Sequence, residues 1–427
     1  MFKPRLCVGL LLSVAFMLSG CAATIPRNGI SNGQLAETAE IPGMPGVRFW
    51  ADEVPRNPLA EIRRRTAHMP PIARDAKMQD GRKVIDTLAL SGGGSDGAFG
   101  AGVLAGWTKR GDRPEFQVVT GVSAGAIIAP FAYLGPSEDE KLHTIWTQYK
   151  QDEVVTPEIF SGLLGGPALA STGPLQNLIA QYVDRQFLDR IAAQYRRGRV
   201  LLVLTTNLDA QRPVVWNMGE IALKRSPAAT ELFRKVILAS AAIPAAFPPV
   251  KIEVEAGGRD YDELHVDGGT TREVFVSPVE APLKAFDSLY PKPPIRRYFI
   301  IKNGKATPEQ EVVKPTTLQI AGRSISTLIK SQNSGEVYHI YRVALDGGAD
   351  FNFLAVPPSF KFETKEIYDP KYQSALYAEG VAEGRRGKWL KAPPGQAPVT
   401  SSDSATSSSA VPPTPAGPKT LQPVAAN

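Results

Sequence analysis

The sequence predicts an α/β fold with a largely parallel central sheet, and three observations predict it. Strand-like apolar runs at 84–90, 117–120, 200–205 and 297–301 alternate with helix-like runs, the pattern of βαβ units. Two of the strand-to-helix junctions are glycine-rich turns, "LALSGGGSDGAFGAG" at 88–102 and "TGVSAGA" at 120–126. Hydrophobic residues make up 43% and charged residues 21% of the 427, which suits a packed core and argues against wholesale disorder.

The two ends read differently from the middle. Lys3 and Arg5 precede an apolar stretch, 6–18, too short to cross a bilayer comfortably. Leu18-Ser19-Gly20-Cys21 follows and resembles the lipobox of bacterial lipoproteins. That resemblance implies removal of residues 1–20 as a signal peptide and acylation of Cys21. Ala22, with no Asp after the cysteine, resembles outer-membrane sorting in a cell with two membranes. Residues 21–81 are rich in Pro, Gly and polar residues and read as a tether with docked pieces such as Phe49-Trp50. Residues 391–427, rich in Pro, Ser and Ala, cannot bury enough apolar surface to fold and read as a disordered tail. The folded unit is then 82–390.

Charge and cysteine content narrow the chemistry. Net charge is +6, and loss of Lys3 and Arg5 would leave +4, compatible with anionic lipid but not demanding it. The triplet Arg63-Arg64-Arg65 lacks interleaved aromatics, so a nucleic-acid surface is not expected. Cys7 and Cys21 are the only cysteines. With one removed and the other acylated, the mature chain has no thiol for catalysis, disulfide or metal. The histidines, His68, His143, His265 and His339, are scattered, and no carboxylates cluster at ligand spacing, so no metal is expected.

The turn at 120–126 fits G-x-S-x-G, with Ser123 between Gly121 and Gly125. Small flanking residues let strand and helix approach while the serine oxygen points into a site, which marks Ser123 as a candidate nucleophile. The turn at 88–102 has a rival reading. Gly92, Gly94 and Gly97 satisfy G-x-G-x-x-G, with Asp112 or Glu115 about where a ribose-binding acid would stand. Asp96 inside a pyrophosphate cradle and the neighbouring G-x-S-x-G weigh against a dinucleotide. A glycine turn at a helix N-terminus equally offers its N–H groups to the oxyanion of an acyl intermediate. Gly92, Gly93 and Gly94 are the candidates for that hole.

A serine nucleophile needs a proton acceptor. The order Ser123, Asp267, His339 would suit a hydrolase triad, but "EVYHIYRVAL" around His339 reads as a strand. Asp267 ends the extended run "ELHVDGGTTREV" at two glycines, which places a carboxylate at a strand end. His265 shares its strand face and either orients the site or packs. The second Asp-Gly-Gly, Asp346 to Gly348, reads as a hairpin turn.

Four blocks in this order resemble the patatin-like phospholipases: Gly92 to Gly97, Gly121 to Gly125, "ASAAIPAAFPP" at 239–249 and Asp267-Gly268-Gly269. The resemblance implies a three-layer α/β fold, a mostly parallel sheet with helices on both faces, and hydrolysis of lipid acyl esters by a Ser–Asp dyad. It implies no cofactor, and membrane phospholipids or other acyl lipids as partners. Asp96 departs from the family, whose loop often carries a basic residue there. The expectation is that its side chain turns away and caps the following helix, or that the substrate differs. Two other functions stay open at this point: an esterase with a Ser–Asp–His triad, and a non-catalytic lipid-binding envelope lipoprotein.

Overall fold

The computed structural model describes residues 25–53, 56–65, 71–157, 168, 170–277, 282–362, 364 and 368–395. The signal segment, Cys21, His68 and residues 396–427 of the expected tail lie outside them. The fold belongs to Met1–Pro394, and Gly395–Asn427 is a second unit.

Nine strands build the sheet around the site: β1 (Arg48–Trp50), β2 (Arg82–Leu90), β3 (Val118–Val122), β4 (Val200–Asn207), β5 (Arg212–Asn217), β6 (Val250–Ala256), β7 (Arg259–Asp267), β8 (Ile295–Lys305) and β9 (Asp350–Val356). A two-residue strand, Met78–Gln79, adds to β2. The path runs β1-β5-β4-β3-β2-β8-β9. From β4 to β9 every pairing is parallel, and β1, β5, β6 and β7 join antiparallel. The central strands are continuous apolar runs because both faces are covered.

The longer helices of the domain are α1 (Gly97–Arg110), α2 (Ala124–Leu134), α3 (Asp139–Thr147), α4 (Gly173–Tyr182), α5 (Arg185–Arg196), α6 (Pro227–Ser240), α7 (Thr317–Gly347) and α8 (Pro370–Arg386), with shorter ones at Gly33–Glu37, Pro58–Arg65, Gln151–Val154 and Met218–Leu223. Of α1 to α8, all but α7 bury their apolar stripes in one large core, with Phe99, Leu104, Ile128, Ile191 and Phe233 fully buried. On the opposite face, Val337, Ile340, Tyr341 and Ala344 of α7 pack on Tyr298, Ile300, Phe351 and Phe353. Helices thus lie on both faces of a mostly parallel sheet. Among the described residues no helix is long and apolar enough to cross a membrane.

Three local expectations change. The run around His339 is helical, because its buried residues 337, 340, 341 and 344 follow the helical period; Val, Ile and Tyr content suggested a strand. Asp346 to Gly348 is not a hairpin but the end of α7, with Gly348 in the left-handed conformation before β9. The described residues of the expected tether pack on the domain. β1 pairs with β5, Arg27 bridges Asp209 and Asp262, and Arg48 makes a buried pair with Glu263. Ala39, Ile41, Met44 and Val47 join the main core.

Helices α1 and α8 approach at backbone contact. A Cβ on Gly380 would stand 2.3 Å from the Phe99 carbonyl oxygen, and one on Gly102 would stand 2.2 Å from that of Tyr377. Overpacking of this kind typically costs about 1–3 kcal/mol or more. Gly380→Leu is therefore expected to lower the melting temperature by several degrees. An unchanged melt would show that the two helices are not held at this distance.

Candidate active site

Strand β4 brings the site together. β3 pairs with it up to Val122 opposite Leu204. At the next position, Thr205, the neighbour is Asp267 at the end of β7. The residue that follows β3 is Ser123. Ser123 and Asp267, far apart in the chain, thus occupy the end of one slot in the sheet.

Ser123 sits on a strained turn, with φ 54° and ψ −122°, between β3 and α2. Such a conformation costs of order 1–3 kcal/mol for a non-glycine residue and persists only where its surroundings impose it. A Cβ on Gly121 would meet the Gly125 carbonyl oxygen at 2.3 Å, and one on Gly125 would meet that of Leu90 at 2.2 Å. Ser240, at the end of α6, fixes the turn: its Oγ accepts from the Ser123 N–H at 3.0 Å and donates to the Leu204 carbonyl at 2.7 Å.

The Asp267 carboxylate stands beside the Ser123 hydroxyl and accepts from the Gly269 N–H at 2.7 Å. It is 5% exposed. Burial pushes its carboxyl up to about 7, against the neighbouring Ser123 hydroxyl and the Gly269 N–H, and nearby Glu273 pushes the same way. Helix α7 clamps the loop that follows. Gln332 donates to the Thr271 carbonyl, and Glu336 accepts from the N–H groups of Glu273 and Val274 at 2.8 and 3.2 Å.

The glycine loop is held by β8. Asn303 donates from Nδ2 to the Ser91 carbonyl at 2.7 Å, and its Oδ1 accepts from the Gly100 N–H at 3.1 Å. The Gly92 N–H donates to the Glu273 carbonyl at 3.1 Å, so it is not free for an oxyanion. Gly92 therefore positions the loop. Among the described residues the N–H groups of Gly93 and Gly94 meet no protein acceptor, and both lie at positive φ just before α1. A Cβ on Gly93 would overlap the Asn303 carbonyl oxygen at 1.9 Å. Asp96 does not cap α1: its Oδ1 accepts from the Tyr372 hydroxyl of α8 at 2.6 Å. Burial pushes its carboxyl up to about 6.

Two spaces meet at Ser123. One is a narrow apolar slot of about 60 Å³ walled by Ile127, Phe131, Trp146, Ile179 and Ile237. The other is an open cleft of about 570 Å³ that holds Asp267, the glycine loop, the end of β8 and one side of α7. No histidine lines either space among the described residues. His265 is fully buried, with Nε2 3.0 Å from Glu263 and Nδ1 2.9 Å from Thr205. It packs within the sheet. Nor do three His, Asp or Glu converge at metal-ligand distance among the described residues.

Residues 88–280 match the family model described as Patatin-like phospholipase. They are a patatin-like phospholipase domain. The protein is accordingly a lipid acyl hydrolase. The patatin-like domain shares its range with the four sequence blocks, while β8, α7 and α8 extend beyond it and complete the cleft. No curated protein matches the chain. Among solved structures it is similar to VipD from Legionella pneumophila at 12% identity and TM-score 0.36, over 74% of this chain and 70% of that one. It is also similar to ExoU of Pseudomonas aeruginosa, crystallised with SpcU, at 14% identity and TM-score 0.29, over 71% and 52%.

Sequence reading missed Ser240, Glu273, Asn303 and Glu336. Ser240 stood inside a recognised block, where its small hydroxyl between alanines was a signal. The others act through contacts between distant segments and left none.

The raised Asp267 carboxyl has a stability consequence. The unfolded chain ionises this group from its ordinary 3.8 upward, while the folded chain resists until about 7, so its burial lowers stability as pH rises between those values and fully above them. Asp267→Asn is expected to melt several degrees higher than wild type at pH 8, with the gain shrinking toward pH 4. Equal melts at pH 8 would mean that the carboxylate is not buried as described.

Proposed function

We propose that this protein is a lipid-anchored serine hydrolase of membrane-lipid esters, of phospholipase A or lysophospholipase type, working through a Ser123–Asp267 dyad. The observation that carries the reading is the junction at Ser123: a strained serine, beside a buried carboxylate, stands where a narrow apolar slot opens into a wider cleft. The apolar walls of the slot match the chemistry of a fatty acyl chain, and the wider cleft lies where the rest of the lipid would stand.

Each step has a residue. Ser123 Oγ attacks the ester carbonyl while its proton passes to Asp267. The N–H groups of Gly93 and Gly94 receive the oxyanion, an effect typically worth about 3–4 kcal/mol per donor. Collapse expels the alcohol, which takes the proton from Asp267, and leaves an acyl-enzyme. Asp267 then takes a proton from water, the hydroxide attacks the acyl-enzyme, and Ser123 and a fatty acid are released. An aspartate at its ordinary pKa is a weak base; one near 7 is matched to neutral pH.

Ser123→Ala and Asp267→Asn are each expected to lower hydrolysis of a phospholipid panel by about 100-fold or more, with the double variant scarcely worse than either. Wild-type kcat/KM should fall with decreasing pH through an apparent pKa of about 7. Folded His265→Gln and His339→Gln enzymes should keep most activity. A folded His339→Gln as inactive as Ser123→Ala would replace the dyad by a triad.

Leu18 to Cys21 supports the anchor, placed in the outer membrane of a two-membrane envelope. Metabolic labelling with a fatty-acid analogue should tag the protein, and Cys21→Ser should abolish the tag. A label that survives this substitution refutes the anchor.

A further inference from the structure

The end of β8 delivers a lysine into the cleft that the mechanism does not use. Lys302 is 5% exposed, yet it lines the same cleft as Ser123, Asp267 and the glycine loop. Its sole charged partner among the described residues is Glu273, whose Oε2 lies 3.6 Å away, beyond a good hydrogen bond. That Oε2 is buried and has no hydrogen-bond partner of its own. An ion pair built only for structure closes to hydrogen-bond contact, because removing two charges from water is costly otherwise. This pair stays open at the edge of the cleft. At the mouth, Lys305 and Lys330 share the single carboxylate of Glu309, at 3.4 and 2.9 Å. The cleft wall holds three lysines, and beside Asp267 only the carboxylates of Glu273 and Glu309 face them among the described residues.

We propose that Lys302 is a specificity-determining residue that binds the phosphate of a glycerophospholipid headgroup while Ser123 attacks the neighbouring ester, with Lys305 and Lys330 steering the anion inward. The assignment rests on the acyl-hydrolase reading of this cleft. Its chemistry is simple. In a glycerophospholipid the phosphate is carried by the glycerol carbon next to an esterified one, so a cation beside the nucleophile meets it. An ammonium is a compact charge suited to a phosphate oxygen, and it needs no planar partner. Burial pushes the Lys302 amine down and the Glu273 carboxyl up in the empty cleft. An arriving phosphate draws the amine back to its charged form. Asp96, the acid of the glycine loop, is held by the Tyr372 hydroxyl, which donates to its Oδ1.

The test uses the full chain and two lipids that differ only in the headgroup: dioleoyl phosphatidylglycerol and dioleoylglycerol, in detergent micelles. The readout is the ratio of their kcat/KM values. One charge-assisted hydrogen bond corresponds to about a tenfold to hundredfold effect. Lys302→Gln is expected to lower the ratio by about tenfold or more, chiefly through KM, and Lys302→Arg to restore most of it. Glu273→Gln combined with Lys302→Met removes both charges together, serves if the single variant does not fold, and should lower the ratio equally. An unchanged ratio in either folded variant overturns the proposal. Inorganic phosphate supplies a third arm on the wild-type enzyme. Weak, millimolar competition against phosphatidylglycerol is expected. No competition at all overturns the site, and micromolar binding lost in Lys302→Gln reassigns it to free phosphate. A different result, no Ser123-dependent hydrolysis of either lipid, would overturn the acyl-hydrolase reading itself.

Discussion

The site depends on one property of the sheet: two neighbours share one edge of β4 in succession. β3 occupies the edge as far as Leu204, and β7 occupies it from Thr205. Hydrogen-bond register along a strand is fixed to one residue, because a slip of one would turn every side chain to the wrong face. The serine and the carboxylate are thereby held by backbone ladders, the stiffest element a fold provides. Loops alone would position them less tightly. The remaining groups are added to this frame: Ser240 secures the serine turn, Asn303 the glycine loop, and Glu336 the segment after Asp267.

Much of this was legible in the chain because much of it is local. Gly121 and Gly125 reveal a close strand–helix junction within seven residues, and the glycine loop reveals a helix N-terminus in the same way. Parallel strands buried on both faces announce themselves as unbroken apolar runs. The failures are equally physical. His339 was read on a strand because β-branched and aromatic residues crowd that segment, although their spacing was helical. The expected tether was read from its Pro and Gly content. Composition does not reveal that Arg48 finds Glu263 more than two hundred residues away, or that Arg27 finds Asp262. Lys302 and Asn303 close a strand-like run at Asn303-Gly304, a turn dipeptide that marks the end of a strand but not a site.

Buried charge is concentrated in two places, and they are resolved in opposite ways. Around His265 every partner is satisfied. Burial opposes ionisation of Glu263, but His265 and Arg48 hold its carboxyl down to about 2. That cluster joins the N-terminal segment to the sheet. Around Asp267 and Glu273 the carboxyls are pushed up, hydrogen bonds are fewer, and one oxygen is unpartnered. Incomplete satisfaction is costly in a folded chain and is found where a ligand completes it.

The docking of the N-terminal segment limits how far the body can travel. Arg27 is already tied to Asp209 and Asp262 on the domain. Between it and an acylated Cys21 the chain can extend to about 20 Å at most, at roughly 3.3–3.6 Å per residue. Under the proposed acylation of Cys21, a leash that short would let the enzyme swivel but not cross to another vesicle. The same proposed anchor would confine the cleft to the leaflet that holds the acyl chains, so that each molecule would work a small circle of lipid and local lipid concentration, not diffusion through water, would set how often the cleft is filled.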